Sequence, residues 1–220
     1  IKFLGVYLDP KLNFKYHIDM IHSKISRSLY AINTAKHLID KTALKSLYNS
    51  LIHSHLNYCI PIWGSAAKSH LKKLELQQKR AVRIISNSNY NAHTVPIFKL
   101  LNILPITEQM KYSSLQIMYD YVNHRLPCSF DHTWIRNNQR AERALRNARS
   151  FDIPYVRLQT FNNFPLSKFP SLWNEIIITN TNPNLLQINN DIDIYIFTEI
   201  MTKKQFSKKL KQLLLNELTL

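Results

Sequence analysis

Six basic side chains recur at helical spacing in residues 68–83, and these residues are the best suited of the chain to bind a polyanion. A helical projection of about 100° per residue separates this segment into two sides. The cationic side contains Lys68, Lys72, Lys79 and Arg83, with Lys73 and Arg80 beside them. The apolar side contains Ala67, Leu71, Leu74, Ala81, Val82 and Ile85. This pattern predicts a helix that packs on its own domain and faces phosphates. A solvated surface helix is the alternative, because Lys and Arg are common on exposed faces.

Positive charge is concentrated in the first two thirds of the chain. The 220 residues have a formal net charge of +15. Residues 1–90 contain 14 Lys and Arg against 4 Asp and Glu, residues 91–170 contain 10 against 5, and residues 171–220 contain 5 against 5. Phosphate contacts are therefore expected before residue 171. A hydrophobic content of 45% is enough for one or two small domains with real cores.

Cysteine usage and hydropathy indicate an intracellular protein that does not cross a membrane. The two cysteines, Cys59 and Cys128, are far apart and suit a reducing compartment. No apolar run approaches the roughly 18 residues of a membrane span, and no signal peptide leads the chain. The chain begins with Ile1 inside a β-prone segment, so we expect a fragment. With only Gly5 and Gly64 as glycines, a glycine-rich phosphate-binding loop is excluded.

Two groups of residues could be considered as metal ligands, and neither predicts a site. His53 and His55, with Cys59 nearby, would point about 200° apart on a helix, whereas tetrahedral zinc needs convergent ligands. Asp191, Asp193 and Glu199 lie in or near an Asn-rich stretch, where solvated loop charges are the simpler interpretation. We therefore predict no metal site in this chain.

The sequence also contains no recognisable catalytic constellation. There is no Gly-x-Ser-x-Gly elbow, and neither cysteine stands in a nucleophile motif. Two-metal phosphoryl transfer needs paired carboxylates, and no Asp-Asp pair occurs. These residues therefore predict a binding protein that contains no catalytic residues of its own.

Further nucleic-acid contacts are conceivable outside the basic helix. Trp63, Tyr58 and Tyr90 could stack on bases, although Trp63 beside Pro61 is more typical of a buried core residue. A second set of guanidinium groups could bind phosphates or only solubilise a loop. This set comprises Arg136, Arg140, Arg143, Arg146 and Arg149.

The pattern of elements predicts a mainly α fold with one short strand. Residues 3–8 are β-prone and end at an Asp-Pro turn. Apolar spacing predicts a helix from about His17 to His37, and Asp40 is the expected N-cap of a second helix that Pro61 and Gly64 interrupt.

Later elements are less regular. Thr94 is the expected cap of a short helix that ends at Leu104-Pro105, and Thr107 with Glu108 opens a long one. Residues 134–149 predict an exposed loop or frayed helix. Prolines among aromatics predict a packed, extended segment for residues 151–174. An Asn-rich linker follows, and residues 203–218 form a final amphipathic helix with Phe206, Leu210, Leu213 and Leu214 on one face.

Several motifs, taken in order, are together more informative than any one of them. Residues 3–9 read Phe-Leu-Gly-Val-Tyr-Leu-Asp, followed by His17-Ile18. Residues 56–64 contain Leu-Asn-Tyr-Cys-x3-Trp-Gly, residues 76–85 read Leu-Gln-Gln-Lys-Arg-Ala-Val-Arg-Ile-Ile, and residues 93–105 contain His-Thr-x-Pro-x-Phe-Lys-x-Leu-x-Ile-Leu-Pro. Tyr119-x-Tyr121, Leu126-Pro127, Leu145-Arg-Asn-Ala148, Ile153-Pro154, Arg157 and Leu172-Trp-Asn174 continue the series. Their order and spacing resemble reverse transcriptases of non-LTR retrotransposons (LINE-type, jockey- or CR1-like), over about residues 2–175.

The resemblance implies an RNA-directed DNA polymerase as the parent protein. Its two Mg²⁺ ions would be held by palm aspartates in a Tyr-x-Asp-Asp box, which is expected before Ile1, so this chain itself would need no cofactor. The resemblance places the end of the palm at residues 1–16 and a helical thumb-like domain at residues 17–127. An Arg-rich and Pro/aromatic extension with the Asn-rich linker would occupy residues 128–190, and a C-terminal helix region residues 191–220. The family pattern directly matches only Lys79, Arg80 and Arg83 among the basic residues.

We therefore expect a fragment that binds an RNA–DNA template–primer hybrid through phosphates and acts in the nucleus. A non-enzymatic basic helical module that meets an acidic protein is the alternative. A third hypothesis is a small metal-dependent hydrolase that uses Asp191 and Asp193. The residues do not predict an oligomeric state.

Overall fold

The protein is mainly α-helical, as predicted. The computed structural model describes residues 1–131, 133–134, 151–153, 155, 157, 162–180 and 201–218. The strands are β1 Lys2–Phe3 and β2 Val6–Tyr7. The helices are α1 Lys15–Ala35, α2 Lys41–Tyr48, α3 Ser54–Asn57, α4 Ile60–Trp63, α5 Lys68–Ser86, α6 Thr94–Leu101, α7 Ile106–Val122, α8 Pro165–Asn180 and α9 Lys203–Asn216. A π-helical turn, Asn49–His53, joins α2 to α3, and a 3₁₀ turn covers Cys128–Phe130.

The chain divides into two compact units. The first consists of Ile1–Met110 together with Lys211–Leu220, and the second of Lys111–Leu210. The four functional segments expected from the sequence, with boundaries after residues 16, 127 and 190, remain a prediction.

The N-terminal segment is a hairpin and not the single strand predicted for residues 3–8. Lys2 pairs with Tyr7 and Phe3 with Val6 in antiparallel register. Leu4 (φ 43°) and Gly5 (φ 82°) form the two-residue turn, and both have left-handed backbone conformations. This is the geometry of a type I′ turn, whose twist matches the twist of paired strands. The turn was not predicted because its surroundings are β-prone and Gly5 is its only turn-forming residue.

The core of the first unit is built around α1 and α5. The apolar positions predicted for α1, at spacings of three and four, are all buried. They are Ile18, Ile21, Ile25, Leu29 and Ile32. This stripe packs against α5, so that two long amphipathic helices share one core.

The second predicted helix begins as expected and is interrupted earlier than expected. Asp40 caps α2: its carboxylate accepts hydrogen bonds from the backbone N–H groups of Thr42 and Ala43, each at 3.2 Å. The helical path ends at Asn57, and Cys59 adopts a left-handed conformation with φ 52°. Pro61 does not cause this break. It lies in the first turn of α4, where a missing N–H costs no helical hydrogen bond.

The predicted cap of α6 is wrong. Thr94 is the first helical residue and is buried, whereas His93 occupies the cap position without a side-chain hydrogen bond. The helix also ends before Leu104-Pro105, because Asn102 adopts a left-handed conformation with φ 52°. Asn is one of the few residues that enter this conformation at modest cost.

The prediction of an extended segment over residues 151–174 is wrong for its second half. Pro165–Asn180 is a helix, with Pro170 inside it. Pro170 cannot donate to the carbonyl of Leu166 four residues earlier, a loss that usually disfavours helix. The indole N–H of Trp134 donates to this carbonyl at 3.1 Å and replaces the missing donor. Pro165 is tolerated for a different reason. It is the first residue of the helix, where a missing N–H costs no helical hydrogen bond.

The last helix, α9, is amphipathic as predicted. Phe206, Leu210 and Leu214 are buried, and Leu213 is half-buried beside them. In the second unit the ring of Phe206 stacks on Tyr119 with centroids 4.4 Å apart. The predicted Asn-rich linker lies mostly outside the described residues.

Candidate nucleic-acid interface

The apolar side predicted for α5 faces the core. Leu74, Ala81, Val82 and Ile85 are fully buried, and Leu71 is half-buried. The exception is Ala67, which precedes the helix at its cap position and is exposed. The helical projection therefore gives the orientation of α5 correctly over the helix itself.

Gln78 is a buried polar residue of α5 that the sequence patterns did not single out. Its amide group makes three hydrogen bonds: Nε2 donates to Tyr48 Oη at 2.9 Å and to the carbonyl of Leu104 at 2.9 Å, and Oε1 accepts from the backbone N–H of Ile106 at 2.8 Å. These bonds join α5 to α2 and to the start of α7. Its place on the apolar side of the projection was the signal that could have identified it.

Gln77 plays a similar part toward α1. Its Nε2 lies 2.9 Å from His22 Nε2 and 3.0 Å from Ser26 Oγ. Both partners lie on α1, so the two neighbouring glutamines hold α5 in a fixed rotational setting. That setting decides which side chains of α5 face solvent.

The six predicted binding residues all lie on the solvent side of α5. Lys68, Lys72, Lys73 and Arg80 are exposed, whereas Lys79 and Arg83 are half-buried. We call the surface formed by these six side chains the basic face. Leu76 lies among them and is 49% exposed.

Glu75 also points toward the basic face and was not predicted from the sequence. Its carboxylate pairs with Lys79 Nζ at 2.6 Å and with Lys72 Nζ at 3.2 Å. Burial by itself raises the pKa of Glu75, but the hydrogen bonds from Lys79 and Lys72 outweigh it and leave the pKa below its ordinary value. Spacings of three and four residues were the signal for these pairs.

Two more members of the basic face make intramolecular contacts. Lys73 Nζ lies 2.9 Å from a carboxylate oxygen of Asp19 on α1, and this hydrogen bond lowers the pKa of Asp19. Arg83 Nε donates to the carbonyl of Ala92 at 2.9 Å and so holds the loop after α5. Its remaining guanidinium nitrogens make no hydrogen bond to the part of the chain that the structure describes.

Lys68 and Arg80 are the members with the greatest freedom to bind a ligand. Both side chains are exposed, and among the described residues neither has a hydrogen-bond or carboxylate partner. Within the described residues, four cations of the basic face therefore make intramolecular contacts and two make none. An exposed cationic helix of this kind can bind a series of phosphates, each through charge-assisted hydrogen bonds.

The aromatic residues considered for base stacking separate into two classes. Trp63 is completely buried, and its indole N–H donates to the carbonyl of Tyr58 at 2.7 Å. Tyr58 is 52% exposed and its hydroxyl donates to the carbonyl of Leu4 at 2.6 Å, which ties the N-terminal hairpin to the helices. Tyr90 is 74% exposed and lies shortly after α5. Of these three candidates, Tyr90 is therefore the one most accessible to a base.

The remaining sequence candidates form no site within the described residues. No group of three or more His, Cys, Asp or Glu side chains there could hold a metal ion. His53 lies in the π-helical turn and His55 in α3. Two candidate sets lie outside the described residues: Asp191, Asp193 and Glu199, and Arg136, Arg140, Arg143, Arg146 and Arg149. None of the described helices has the length and apolar character needed to span a membrane.

Comparison with known proteins finds sequence similarity to RNA-directed DNA polymerases of mobile elements. No protein-family model matches it. No solved structure matches it either. The chain is 29% identical over 114 residues to the RNA-directed DNA polymerase from mobile element jockey of Drosophila melanogaster, a match that covers 50% of this chain and 12% of that protein.

Two further relatives come from the same species. The chain is 23% identical over 117 residues to the probable RNA-directed DNA polymerase from transposon X-element, covering 51% of this chain and 13% of that protein. It is 27% identical over 113 residues to the probable RNA-directed DNA polymerase from transposon BS, covering 50% and 12%. The matches thus span only about an eighth of the length of these curated relatives. The resemblance seen in the motifs is confirmed: over about half its length, this chain is similar to RNA-directed DNA polymerases of LINE-type retrotransposons.

Proposed function

We propose that this chain is the thumb-like part of a non-LTR retrotransposon reverse transcriptase and binds an RNA–DNA template–primer hybrid through its phosphates. One observation supports this proposal above all: the six predicted cations lie together on the solvent side of α5. The similarity to RNA-directed DNA polymerases supports a nucleic acid as the ligand.

The chemistry of the basic face favours binding that is independent of base sequence. Lys and Arg neutralise backbone phosphates and release condensed counterions, so affinity falls steeply as salt rises. Lys68 and Arg80 can make such contacts without breaking an intramolecular pair. Lys72 and Lys79 must share their charge between phosphate and Glu75, which lowers the contribution of each.

The proposal assigns positioning of the hybrid, and not polymerisation, to this segment. The described residues contain no group of three or more His, Cys, Asp or Glu side chains that could hold a metal ion. The two Mg²⁺ ions belong to the chemistry of the parent polymerase. We further propose that the parent acts in the nucleus, where its chromosomal DNA target lies.

The test uses fluorescence anisotropy to measure how tightly the full 220-residue chain binds a hybrid of about 20 base pairs. The measurement is repeated at several salt concentrations. The double variant Lys68→Gln/Arg80→Gln removes two charges without breaking a described contact. We expect it to bind about tenfold more weakly at low salt and to show a shallower salt dependence. The variant Lys11→Gln/Lys41→Gln is the matched control, because it removes two exposed charges away from α5. Equal losses in both variants, or weak binding that ignores salt, would contradict the proposal.

A basic helical module that binds an acidic protein is the second candidate. Leu76, half-exposed in the middle of the basic face, favours it, because an apolar side chain contributes more to a protein interface than to a phosphate backbone. A competition experiment decides between the two candidate functions. An acidic peptide that displaces the hybrid at equal charge concentration supports the acidic-protein candidate. If the first proposal is correct, the hybrid should stay bound in the presence of the peptide.

A further inference from the structure

A short loop at the C-terminal end of the basic face contains an exposed tyrosine. This loop, residues 87–93, joins α5 to α6. Tyr90 lies in the middle of the loop and is 74% exposed. Among the described residues, its side chain has no aromatic or hydrogen-bonding partner. Exposure alone does not distinguish Tyr90, because Tyr30 on α1 is 76% exposed. The position of Tyr90 beside the basic face does distinguish it.

Hydrogen bonds fix the backbone around Tyr90. The N–H of Ala92 donates to the carbonyl of Asn89 at 3.0 Å and closes a β-turn whose second residue is Tyr90. At the start of the loop, Asn87 ends α5 in a left-handed conformation with φ 55°, which asparagine adopts at modest cost. An aromatic ring on a fixed turn loses less conformational freedom on binding than a ring on an unstructured loop, so this turn favours a binding role for Tyr90.

Arg83 connects the turn to the basic face. Its Nε donates to the carbonyl of Ala92 at 2.9 Å, so the turn lies against a side chain of the basic face itself. Because Tyr90 is two residues from Ala92, their Cα atoms are at most about 7 Å apart. The other guanidinium nitrogens of Arg83 have no hydrogen-bond partner among the described residues and can bind a phosphate. A nucleotide whose phosphate binds Arg83 can therefore reach Tyr90 with its base.

The surroundings of Tyr90 suit a polyanion with exposed bases. No Asp or Glu occurs in residues 76–107, so this segment contains no carboxylate that would repel a phosphate. Three exposed asparagines, Asn87, Asn89 and Asn91, lie in the same loop. Their amide groups can donate to and accept from the edge of a base. Cations together with an accessible aromatic ring are the combination that binds single-stranded nucleic acid.

An unpaired base fits this arrangement better than a paired one. Inside a duplex, neighbouring bases cover both faces of each base, so an aromatic side chain cannot stack there. A nucleotide beyond the end of the duplex has a free face. We propose that Tyr90 stacks on an unpaired nucleotide of a strand that continues beyond the RNA–DNA hybrid, while Arg83 binds a phosphate of that strand. This inference rests on the function proposed for α5 and adds a single-stranded extension to its ligand.

Two ligands test the proposal by fluorescence anisotropy with the full chain. One is a blunt RNA–DNA hybrid of about 20 base pairs. The other is the same hybrid with about five unpaired nucleotides added to the RNA strand, at each end in turn. Tyr90→Ser removes the ring and no charge. It should bind the extended hybrid about tenfold more weakly than the unaltered protein does, and the blunt hybrid almost equally well.

Two further variants separate stacking from other effects. Tyr90→Phe keeps the ring and should bind the extended hybrid as the unaltered protein does, because stacking needs no hydroxyl. Tyr30→Ser, at a position of nearly equal exposure on α1, is the matched control and should lower neither affinity. Urea unfolding checks that Tyr90→Ser retains the stability of the unaltered protein, as expected for a substitution at an exposed turn.

Photochemical cross-linking locates the contact. A 5-iodouracil base at the first unpaired position should cross-link to Tyr90, which mass spectrometry of the peptides identifies, and the same base in the middle of the hybrid should not. The proposal is overturned if the cross-link forms only at other residues. It is also overturned if Tyr90→Ser binds the extended hybrid as tightly as the unaltered protein does, or loses affinity equally for both ligands.

The two ligands also separate this inference from the function proposed for α5. Salt-dependent binding of the blunt hybrid, with no effect of Tyr90→Ser on the extended one, overturns the stacking and leaves that function standing. Binding of the extended hybrid alone, lost in Tyr90→Ser, contradicts the binding of the duplex by α5 and supports the stacking. If neither ligand binds, both proposals are overturned.

Discussion

The indole N–H of Trp134 donates to the carbonyl oxygen of Leu166, across 32 positions of sequence. This acceptor is the one that Pro170 leaves without a helical donor. A side chain from elsewhere in the second unit thus makes a proline tolerable inside α8. The tryptophan is buried, so a water molecule cannot easily take the place of its indole N–H as the donor to this carbonyl.

This relationship predicts that Trp134 and Pro170 are energetically coupled. Trp134→Phe keeps an aromatic ring but leaves the Leu166 carbonyl without its donor, whereas in a Pro170→Ala background the new backbone N–H can take that place. We expect Trp134→Phe to cost about 1–2 kcal/mol more in the unaltered protein than in the Pro170→Ala background. Urea unfolding of the four proteins measures the difference. A coupling energy near zero would show that the indole bond contributes nothing to tolerance of the proline.

Gln78 predicts a large effect from a substitution of similar size. Gln78→Leu leaves the Tyr48 hydroxyl, the Leu104 carbonyl and the Ile106 N–H without their described partner. We expect a loss of about 3 kcal/mol in the free energy of unfolding, because buried polar groups lose their hydrogen bonds. Gln212→Leu, at an exposed position of α9, is the control and should change stability by about 0.5 kcal/mol or less. Similar stability for both variants would mean that Gln78 is not the link between α2, α5 and α7.

Glu75 predicts a gain of binding. Glu75→Gln removes the anion that shares Lys72 and Lys79, so affinity for the RNA–DNA hybrid should rise about threefold at low salt. The variant should lose little stability, because the pairs lie near the surface. Asp131→Asn, an equal change of charge outside α5, should leave affinity nearly unchanged. Unaltered or weaker binding by Glu75→Gln would remove Lys72 and Lys79 from the interface.

The same carboxylate predicts a dependence on pH. Its hydrogen bonds from Lys79 and Lys72 outweigh burial and hold the pKa of Glu75 below its ordinary value. The stabilisation from these pairs is therefore complete at neutral pH and is lost as the pH falls through that lowered pKa. In Glu75→Gln this part of the acid loss of stability should be absent, and urea unfolding between neutral and acid conditions compares the two proteins. If the free energy of unfolding falls with acid in the same way in both proteins, the predicted contribution of Glu75 is contradicted.

Tyr48 predicts a loss of stability in alkali. Burial, only partly offset by the hydrogen bond from Gln78, raises the pKa of Tyr48 to about 12. In the unfolded chain the pKa is about 10, so between these values the unfolded state loses a proton that the folded state retains. Stability should therefore fall as the pH rises through this window, and at about pH 11 the fall should be about 1 kcal/mol larger than in Tyr48→Phe. Exposed Tyr30→Phe is the control, and it should retain the alkaline slope of the unaltered protein.

Local patterns in the sequence predicted the helices whose two sides differ strongly. Spacings of three and four placed α1 and α5 correctly, and Asp40 marked the start of α2. The cationic residues of α5 also followed from its own periodicity, because burying the apolar stripe leaves the opposite side in solvent. Much of the candidate site could thus be predicted without tertiary contacts.

Other features depend on partners that a local pattern does not contain. The turn at Leu4 and Gly5 is stabilised by pairing and by a hydroxyl 54 residues away, and the helix around Pro170 has the indole of Trp134 as its donor. The basic side chains of α5 were readable from its sequence, but the sharing of Lys73 with Asp19 was not.

The sequence by itself determined the mainly α fold, the orientation of α5 and the likeness to retrotransposon polymerases. Tertiary structure alone decided which buried polar groups are satisfied, as the three hydrogen bonds of Gln78 illustrate. The physical reason is range: helical periodicity acts over a few residues, whereas hydrogen-bond partners and charge clusters are set by elements that meet only after the chain has folded.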